Sequence, residues 1–282
     1  MVRKLTTTGF AVVAALIACN VGATTWDTTS AGGGTIVGNQ LTVTSGGVVL
    51  RARAYSTSLG FAPNGYAVPT STSANFSGYT VGTNAADSTG INTILNSKWI
   101  AATAITYSGG IGIDNAVDPS PALDNTVPQH AIDNNGAIDV IVFEASGAVD
   151  WSALTIGWSQ VDSDLQVWEG GNSLGANYNF ANTCFQGTCS GGTTLAALGF
   201  TTATTYDNVG AGTSLTQSGT SRYAIVSGNL GLGTVTTGND FFKVSSITAA
   251  PGLPPSAPEP ASMALLGLGL VGMGLARRRR AA

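Results

Sequence analysis

Apolar and polar positions alternate along much of this chain with a period of two, and no stretch of the central body repeats its apolar residues at helical spacing. Val48, Leu50, Ala52 and Ala54 fall on one side of an extended segment, with Arg51, Arg53 and Tyr55 on the other, the pattern of a half-buried strand. Upstream, Thr35 to Thr44 carries Gly38-Asn39 at its middle and reads as a hairpin entering that strand. Trp99 to Tyr107 is a further strand. Ile138-Asp139-Val140-Ile141-Val142-Phe143 is almost continuous in β-formers, which predicts a central strand buried on both faces. Leu154, Ile156 and Trp158 alternate in the next strand and Leu165 and Val167 in the one after, with Asp162-Ser163-Asp164 as the turn between them. Arg222 to Val226 and Phe241 to Ile247 close the series shortly before Pro251. Strands at this spacing, joined by polar turns, predict an all-β body over 24–250, specifically a two-layer β-sandwich of jelly-roll type.

Both ends of the chain break that pattern. Arg3 and Lys4 precede an apolar stretch from Gly9 to Ala18, and Val21-Gly22-Ala23 supplies small residues at signal-peptidase spacing, so residues 1–23 read as a secretory signal helix cut after Ala23. Leu16-Ile17-Ala18-Cys19 inside it resembles a lipobox, which offers lipidation of Cys19 as the alternative. At the other end, Pro251 to Ala257 reads as an extended spacer. Ala257-Pro258-Glu259-Pro260 follows, then an apolar run from Ala261 to Ala276, then Arg277-Arg278-Arg279-Arg280. That run favours a single transmembrane helix of roughly 24 Å, short against a hydrocarbon core of about 30 Å. Gly267, Gly269, Gly272 and Gly274 leave on it a small-residue face that another helix can approach. The four arginines hold the C-terminus on the cytoplasmic side, so everything upstream lies outside.

Pro-Glu-Pro, a glycine-interrupted apolar segment and an arginine cluster, in that order over 258–282, resemble the PEP-CTERM sorting signal. The resemblance implies that an integral-membrane exosortase recognises the tail and removes it from an exported protein. The body carries a second resemblance. Pro128 to Gly136 with its His130-Ala131-Ile132-Asp133-Asn134, the buried strand that follows, Gly157-Trp158 leading to the Asp162-Ser163-Asp164 turn, and Asn239 to Val244 look like segments of exosortase-dependent surface proteins. That likeness covers about residues 105 to 175 and the last strand, and it brings no catalytic residues with it.

Removing both terminal segments sharpens the charge. The chain has 11 basic and 15 acidic residues. Between Thr24 and Ala257 there remain 5 basic and 14 acidic ones, a formal charge of −9. A body this acidic repels nucleic acid and anionic lipid. Cys184 and Cys189 are the thiols left in it, and in an oxidising compartment they form a local disulfide around Phe185 to Thr188. A redox-active pair is the alternative, but the spacing is not Cys-x-x-Cys.

Enzymatic chemistry finds little support. Gly171-Asn172-Ser173-Leu174-Gly175 fits the nucleophile-elbow pattern formally, yet a poor helix start follows it and the single histidine, His130, precedes the serine. A glycine-flanked turn accounts for it. The Gly-x-Gly-x-x-Gly at 267–272 lies inside the apolar tail, where no phosphate enters. Asp114, Asp118, Asp124 and Asp133 crowd one loop region and Asp162 and Asp164 another, which makes Asp162 and Asp164 candidate ligands for calcium. Asn75-Phe76-Ser77 is a formal glycan acceptor of little weight in a bacterial envelope protein. Alternation puts Trp158 in the core with Leu154 and Ile156, and leaves Trp168, beside Asp164 and Gln166, as the aromatic able to stack on a sugar. The reading is a non-enzymatic exported surface or matrix protein, handled by signal peptidase and exosortase and associated with exopolysaccharide. A carbohydrate-binding module or carbohydrate-active enzyme on the same scaffold is the alternative.

Overall fold

The structure is a computed structural model, and it describes residues 22–61, 67–69, 93–114, 130–134, 137–161, 163–189, 191–230 and 240–251. The terminal apolar segments, Cys19, Asn75, Asp118, Asp124 and Asp162 lie outside the described residues. Among the described residues, no helix is long and apolar enough to cross a membrane.

The body is nearly all β. In chain order the strands are β1 (Thr24–Asp27), β2 (Thr35–Val37), β3 (Gln40–Ser45), β4 (Val48–Thr57), β5 (Leu59–Phe61), β6 (Ala67–Pro69), β7 (Trp99–Ala101), β8 (Thr103–Tyr107) and β9 (Gly110–Asp114). There follow β10 (Ile132–Asp133), β11 (Asp139–Val161), β12 (Leu165–Gly170), β13 (Thr183–Cys184), β14 (Thr193–Thr194), β15 (Ala203–Tyr206), β16 (Ser214–Thr216), β17 (Thr220–Gly228) and β18 (Asp240–Pro251). Fourteen of them share one sheet, whose main path runs β15-β12-β17-β11-β18-β9-β8. Every pairing in that sheet is antiparallel.

Two predicted strands are one. The runs around Ile141 and Leu154 both belong to β11, a single strand of 23 residues. Its first part pairs with β4 and β17, from Val140 opposite Tyr55 and Ser227 to Glu144 opposite Arg51 and Tyr223. Its second part pairs with β18, from Val149 opposite Pro251 to Val161 opposite Asp240. Between them the ladder to β17 is interrupted from Glu144 to Val149. Ser146-Gly147-Ala148 lies in that interruption, and small residues with little side chain to bury let a long strand turn from one set of partners to another.

The main core is enclosed by that turn. Ile141, Phe143 and Ala145 from the first part of β11 share one buried cluster with Trp151, Leu154 and Ile156 from the second. Leu50, Ala52 and Ala54 of β4 join it as their alternation predicts, as do Phe242, Val244, Ile247 and Ala249 of β18. The alternate residues are buried too. Tyr55, Val140, Val142, Tyr223 and Ile225 face a second cluster, closed by Trp99, Phe180, Phe185, Leu195, Leu198 and Phe200. Regular structure is sparse in the segment that closes it, and the disulfide between Cys184 and Cys189, with Cα atoms 5.7 Å apart, ties that segment to itself. The hairpin at Gly38 forms as predicted: Val37 pairs with Gln40, and Gly38 has φ +59, the left-handed conformation a two-residue connection demands.

A buried ion pair pins the covering segment to the sheet. Arg53 Nη1 donates to Glu144 Oε2 at 2.9 Å, its Nε to Gln40 Oε1 at 2.8 Å, and its Nη2 to Asn177 Oδ1 at 3.0 Å. The Asn177 N–H returns to Glu144 Oε1 at 2.8 Å. The Glu144 side chain is fully buried, and these contacts satisfy both of its oxygens. Removing one member leaves the other charged and unpaired in the interior. Glu144→Ala is therefore expected to cost about 3–5 kcal/mol in urea denaturation, while pairing Glu144→Leu with Arg53→Met recovers most of that loss.

Candidate functional site

The three body segments singled out by their sequence meet at one place. β10 lies against the start of β18, with Ile132 opposite Phe242 and Asp133 opposite Phe241. Asp240, fully buried at the first position of β18, is the hub. Its Oδ2 accepts from Asn134 Nδ2 at 2.5 Å, its Oδ1 accepts the Asp164 N–H at 2.9 Å, and its own N–H donates to Asn134 Oδ1 at 3.2 Å. Asp164 in turn accepts the Asn208 N–H on Oδ1 at 2.6 Å and the Asn229 N–H on its carbonyl at 3.0 Å. Asn134 Nδ2 also reaches the Asn229 carbonyl at 2.9 Å. The arrangement joins the ends of β10, β12, β17 and β18. Each carboxylate takes main-chain N–H groups that strand ends otherwise leave without partners.

That chemistry is structural. Asp164 is 8 % exposed and its carboxylate already holds a main-chain N–H. Its proposed companion Asp162 lies outside the described residues. Among the described residues, no group of three or more His, Cys, Asp and Glu is placed to hold a metal ion. Ser173 sits in a tight turn closed by the Leu174 N–H on the Gly171 carbonyl at 2.9 Å, the glycine-flanked turn its sequence suggested. Burial raises the Glu169 carboxyl above its ordinary 4.5, against the pull of the Gly219 and Ser218 main chain. It also raises the Tyr55 and Tyr223 hydroxyls above 10.0.

The aromatic assignments change places. Trp168 is 7 % exposed, with its ring centroid 5.9 Å from that of Phe185, because the disulfide-bearing segment folds over the face that alternation assigned to solvent. Trp168 is thus a core residue and no surface platform. Trp158, expected in the core, is half-buried and lies outside both buried clusters. The ladder between β11 and β18 is irregular there: Ile156 opposes Val244, but Trp158 opposes Lys243. The alternation is overturned at that step, and Lys243 Nζ lies 5.0 Å from the Trp158 ring and 4.0 Å from that of Tyr107. His130 stacks on the far side of this group, its ring 5.9 Å from Tyr107 at 14°, with Nδ1 3.7 Å from Asp114 Oδ1. The His130 carbonyl passes so close to Gly112 that a Cβ there would lie 1.7 Å from it, so only glycine admits the crossing.

The two chain exits also come together. β1 pairs with the end of β18, Thr24 opposite Ala249, and Gly22 and Ala23 are exposed immediately before it. The last residue of the β1–β18 ladder region, Pro251, leaves the sheet beside them. Beyond Pro251, residues 256–280 match the family model for the PEP-CTERM protein-sorting motif. The chain carries a PEP-CTERM sorting signal. That signal marks an exported protein with a membrane-proximal C-terminal tail that exosortase processes. Pro258, Glu259, Pro260 and Arg277 to Arg280 lie within it. No curated protein and no solved structure matches the chain.

In this PEP-CTERM protein Asp240 is the residue on which the junction turns. Asp240→Ala leaves the Asp164 N–H without its acceptor in a buried place and Asn134 Nδ2 with the Asn229 carbonyl alone. Hydrogen bonds to a charged group contribute about 1.5–3 kcal/mol each, so a loss of about 3–5 kcal/mol is expected in urea denaturation, with Asp240→Asn losing clearly less.

Proposed function

We propose that the protein is a non-enzymatic component of the cell surface or extracellular matrix, exported as a folded β body and associated with exopolysaccharide after its tail is processed. The body would be a two-layer sandwich of jelly-roll type, formed by the turn of β11 around the main core. Signal peptidase acts at Ala23 and exosortase at the tail. The observation that carries the reading is the sorting motif at residues 256–280, joined to a body whose described polar clusters are occupied in holding strands together. The transmembrane helix and the signal helix belong to this proposal. Calcium at Asp162 and Asp164 forms no part of it.

Replacing Pro258, Glu259 and Pro260 by alanine is expected to leave the tail uncut, so that intact mass of protein recovered from cells keeps residues up to Ala282. Unchanged tail removal in that variant overturns the reading.

A second reading, carbohydrate binding, rests on the half-buried Trp158 beside Tyr107 and Lys243, a more accessible aromatic group than Trp168. The two readings part on one measurement. Retention of the soluble body on an insoluble polysaccharide, lost in Trp158→Ala and kept when Arg222→Gln alters a half-buried position on β17, would replace the first reading with the second. The first predicts that no retention depends on Trp158.

A further inference from the structure

The main sheet stays apolar up to one open edge. Phe143 of β11 lies opposite Ala52 of β4, Ala52 opposite Leu41 of β3, and Leu41 opposite Ile36 of β2, so one row of the core face runs out to β2. Among the described residues β2 pairs with β3 alone, and every residue from 33 to 38 is exposed. The large apolar side chains exposed among the described residues both stand on this strand, Ile36 at 37 % and Val37 at 73 %.

The main chain is open at the same place. A two-residue connection makes the pair that flanks it, Val37 with Gln40, exchange both of its main-chain hydrogen bonds. The next pair, Ile36 with Leu41, therefore exchanges none, and the Ile36 N–H and C=O point to the open side. Sheets commonly guard such an edge with a charge, a proline or a bulge. Residues 28–50 contain no Asp, Glu, Lys, Arg, His or Pro, and the register of β2 on β3 is unbroken. The charged residues that flank this stretch are engaged elsewhere: Asp27 Oδ1 accepts the Thr29 N–H at 2.8 Å, and Arg51 Nη1 lies 4.0 Å from Glu144 Oε1.

An N–H and C=O open beside an apolar side chain fit another strand, and the sequence of β2 selects which. Gly34-Thr35-Ile36-Val37-Gly38 reads nearly the same in both directions, because Thr and Val have the same branched shape. A two-fold axis at Ile36 sets Ile36 opposite Ile36, exchanging both N–H···O bonds, and Thr35 opposite Val37 on either side. The paired Ile36 side chains extend the row of Phe143, Ala52 and Leu41 into the second body, while Thr35 and Val37 cover each other on the outer face.

We propose that β2 is a self-association edge: a second copy of this chain adds its own β2 antiparallel to the first, joining two bodies through one continuous sheet. The proposal stands apart from the fate of the tail. Three residue pairs bury far less than the roughly 1,200 Å² of a stable complex, so the contact is reversible and takes effect where bodies are crowded together.

The test traps the pairing as cross-strand disulfides in the full-length chain, held in non-ionic detergent and carrying Cys19→Ser, so that each added cysteine is the one free thiol beside the Cys184–Cys189 bond. Two Ile36→Cys copies place their Cα atoms about 5.5 Å apart, inside the range of about 4.4–6.8 Å that a disulfide spans. Two Val37→Cys copies stand diagonally at roughly 7–8 Å, which is too far. Under mild oxidation, Ile36→Cys is expected to give several-fold more covalent dimer than Val37→Cys, against the order of their exposure. Thr35→Cys and Val37→Cys chains, directly opposite at about 4.5 Å, are expected to cross-link several-fold more when mixed than either does alone. Adding Val37→Lys to Ile36→Cys puts a charge on the edge at an exposed position and is expected to bring its dimer down to the Val37→Cys level. Equal dimer from Ile36→Cys and Val37→Cys overturns the proposal, as does a dimer that survives Val37→Lys. The mixed pair uses two exposed positions and so decides the matter even where Ile36→Cys fails to fold: no gain on mixing overturns the proposal by itself.

Discussion

The hydrogen-bonded ladder along both edges of β11 is the constraint from which the rest of the body follows. A strand of 23 residues cannot stay flat and also enclose a core, since sheets twist and need a break to change direction. The break falls at Ser146-Gly147-Ala148. Once it is there, residues separated by ten or more positions along one strand, such as Ile141 and Trp151, meet in the same apolar cluster. The flanking strands β4 and β18 are then committed to opposite parts of β11, and their own apolar faces must point inward to meet it.

Two buried carboxylates fix what apolar packing leaves loose. Hydrophobic burial is not directional, and a sheet turned on itself has many arrangements of similar apolar area. Glu144 selects one near the bend, because its two oxygens accept from Arg53 on β4 and from the main chain of Asn177 in the covering segment. Asp240 selects one at the other end by gathering Asn134 and Asp164. Each carboxylate has its partners on segments distant in sequence, so each reports on tertiary structure and neither on a local turn. Buried charges hold their place only when so paired.

This explains which parts of the molecule were legible in its sequence. The all-β body, the hairpin at Gly38, the inward set Leu50, Ala52 and Ala54, and the disulfide all follow from local pattern or from spacing along the chain. The sorting motif is a linear signal and was read directly. The continuity of β11 was not, since a polar and small-residue interval looks the same whether it ends a strand or bends one. Trp158 and Trp168 were misplaced for related reasons. A period-two argument holds only until the first irregularity in the ladder, and it cannot see a segment with little regular structure that folds over a face from 10 to 30 residues away. The Arg53–Glu144 pair does leave a trace in the sequence: a glutamate ending a run of β-formers, and two arginines alternating on a strand whose other face is apolar.

The same topology bears on why the body and its tail are compatible. In an antiparallel sheet a strand that begins at one end must finish at the other, so the placement of Asp240 at the start of the 12-residue β18 puts Pro251, its last residue, at the other end of that strand. The acid-rich junction and the tail exit are thereby separated by the length of a strand. Since β1 runs antiparallel to β18 along its last residues, the N-terminal exit is drawn to the tail's end and away from the carboxylates. The strand polarity that closes the core also sets the Asp240 junction apart from the end through which both processed segments leave.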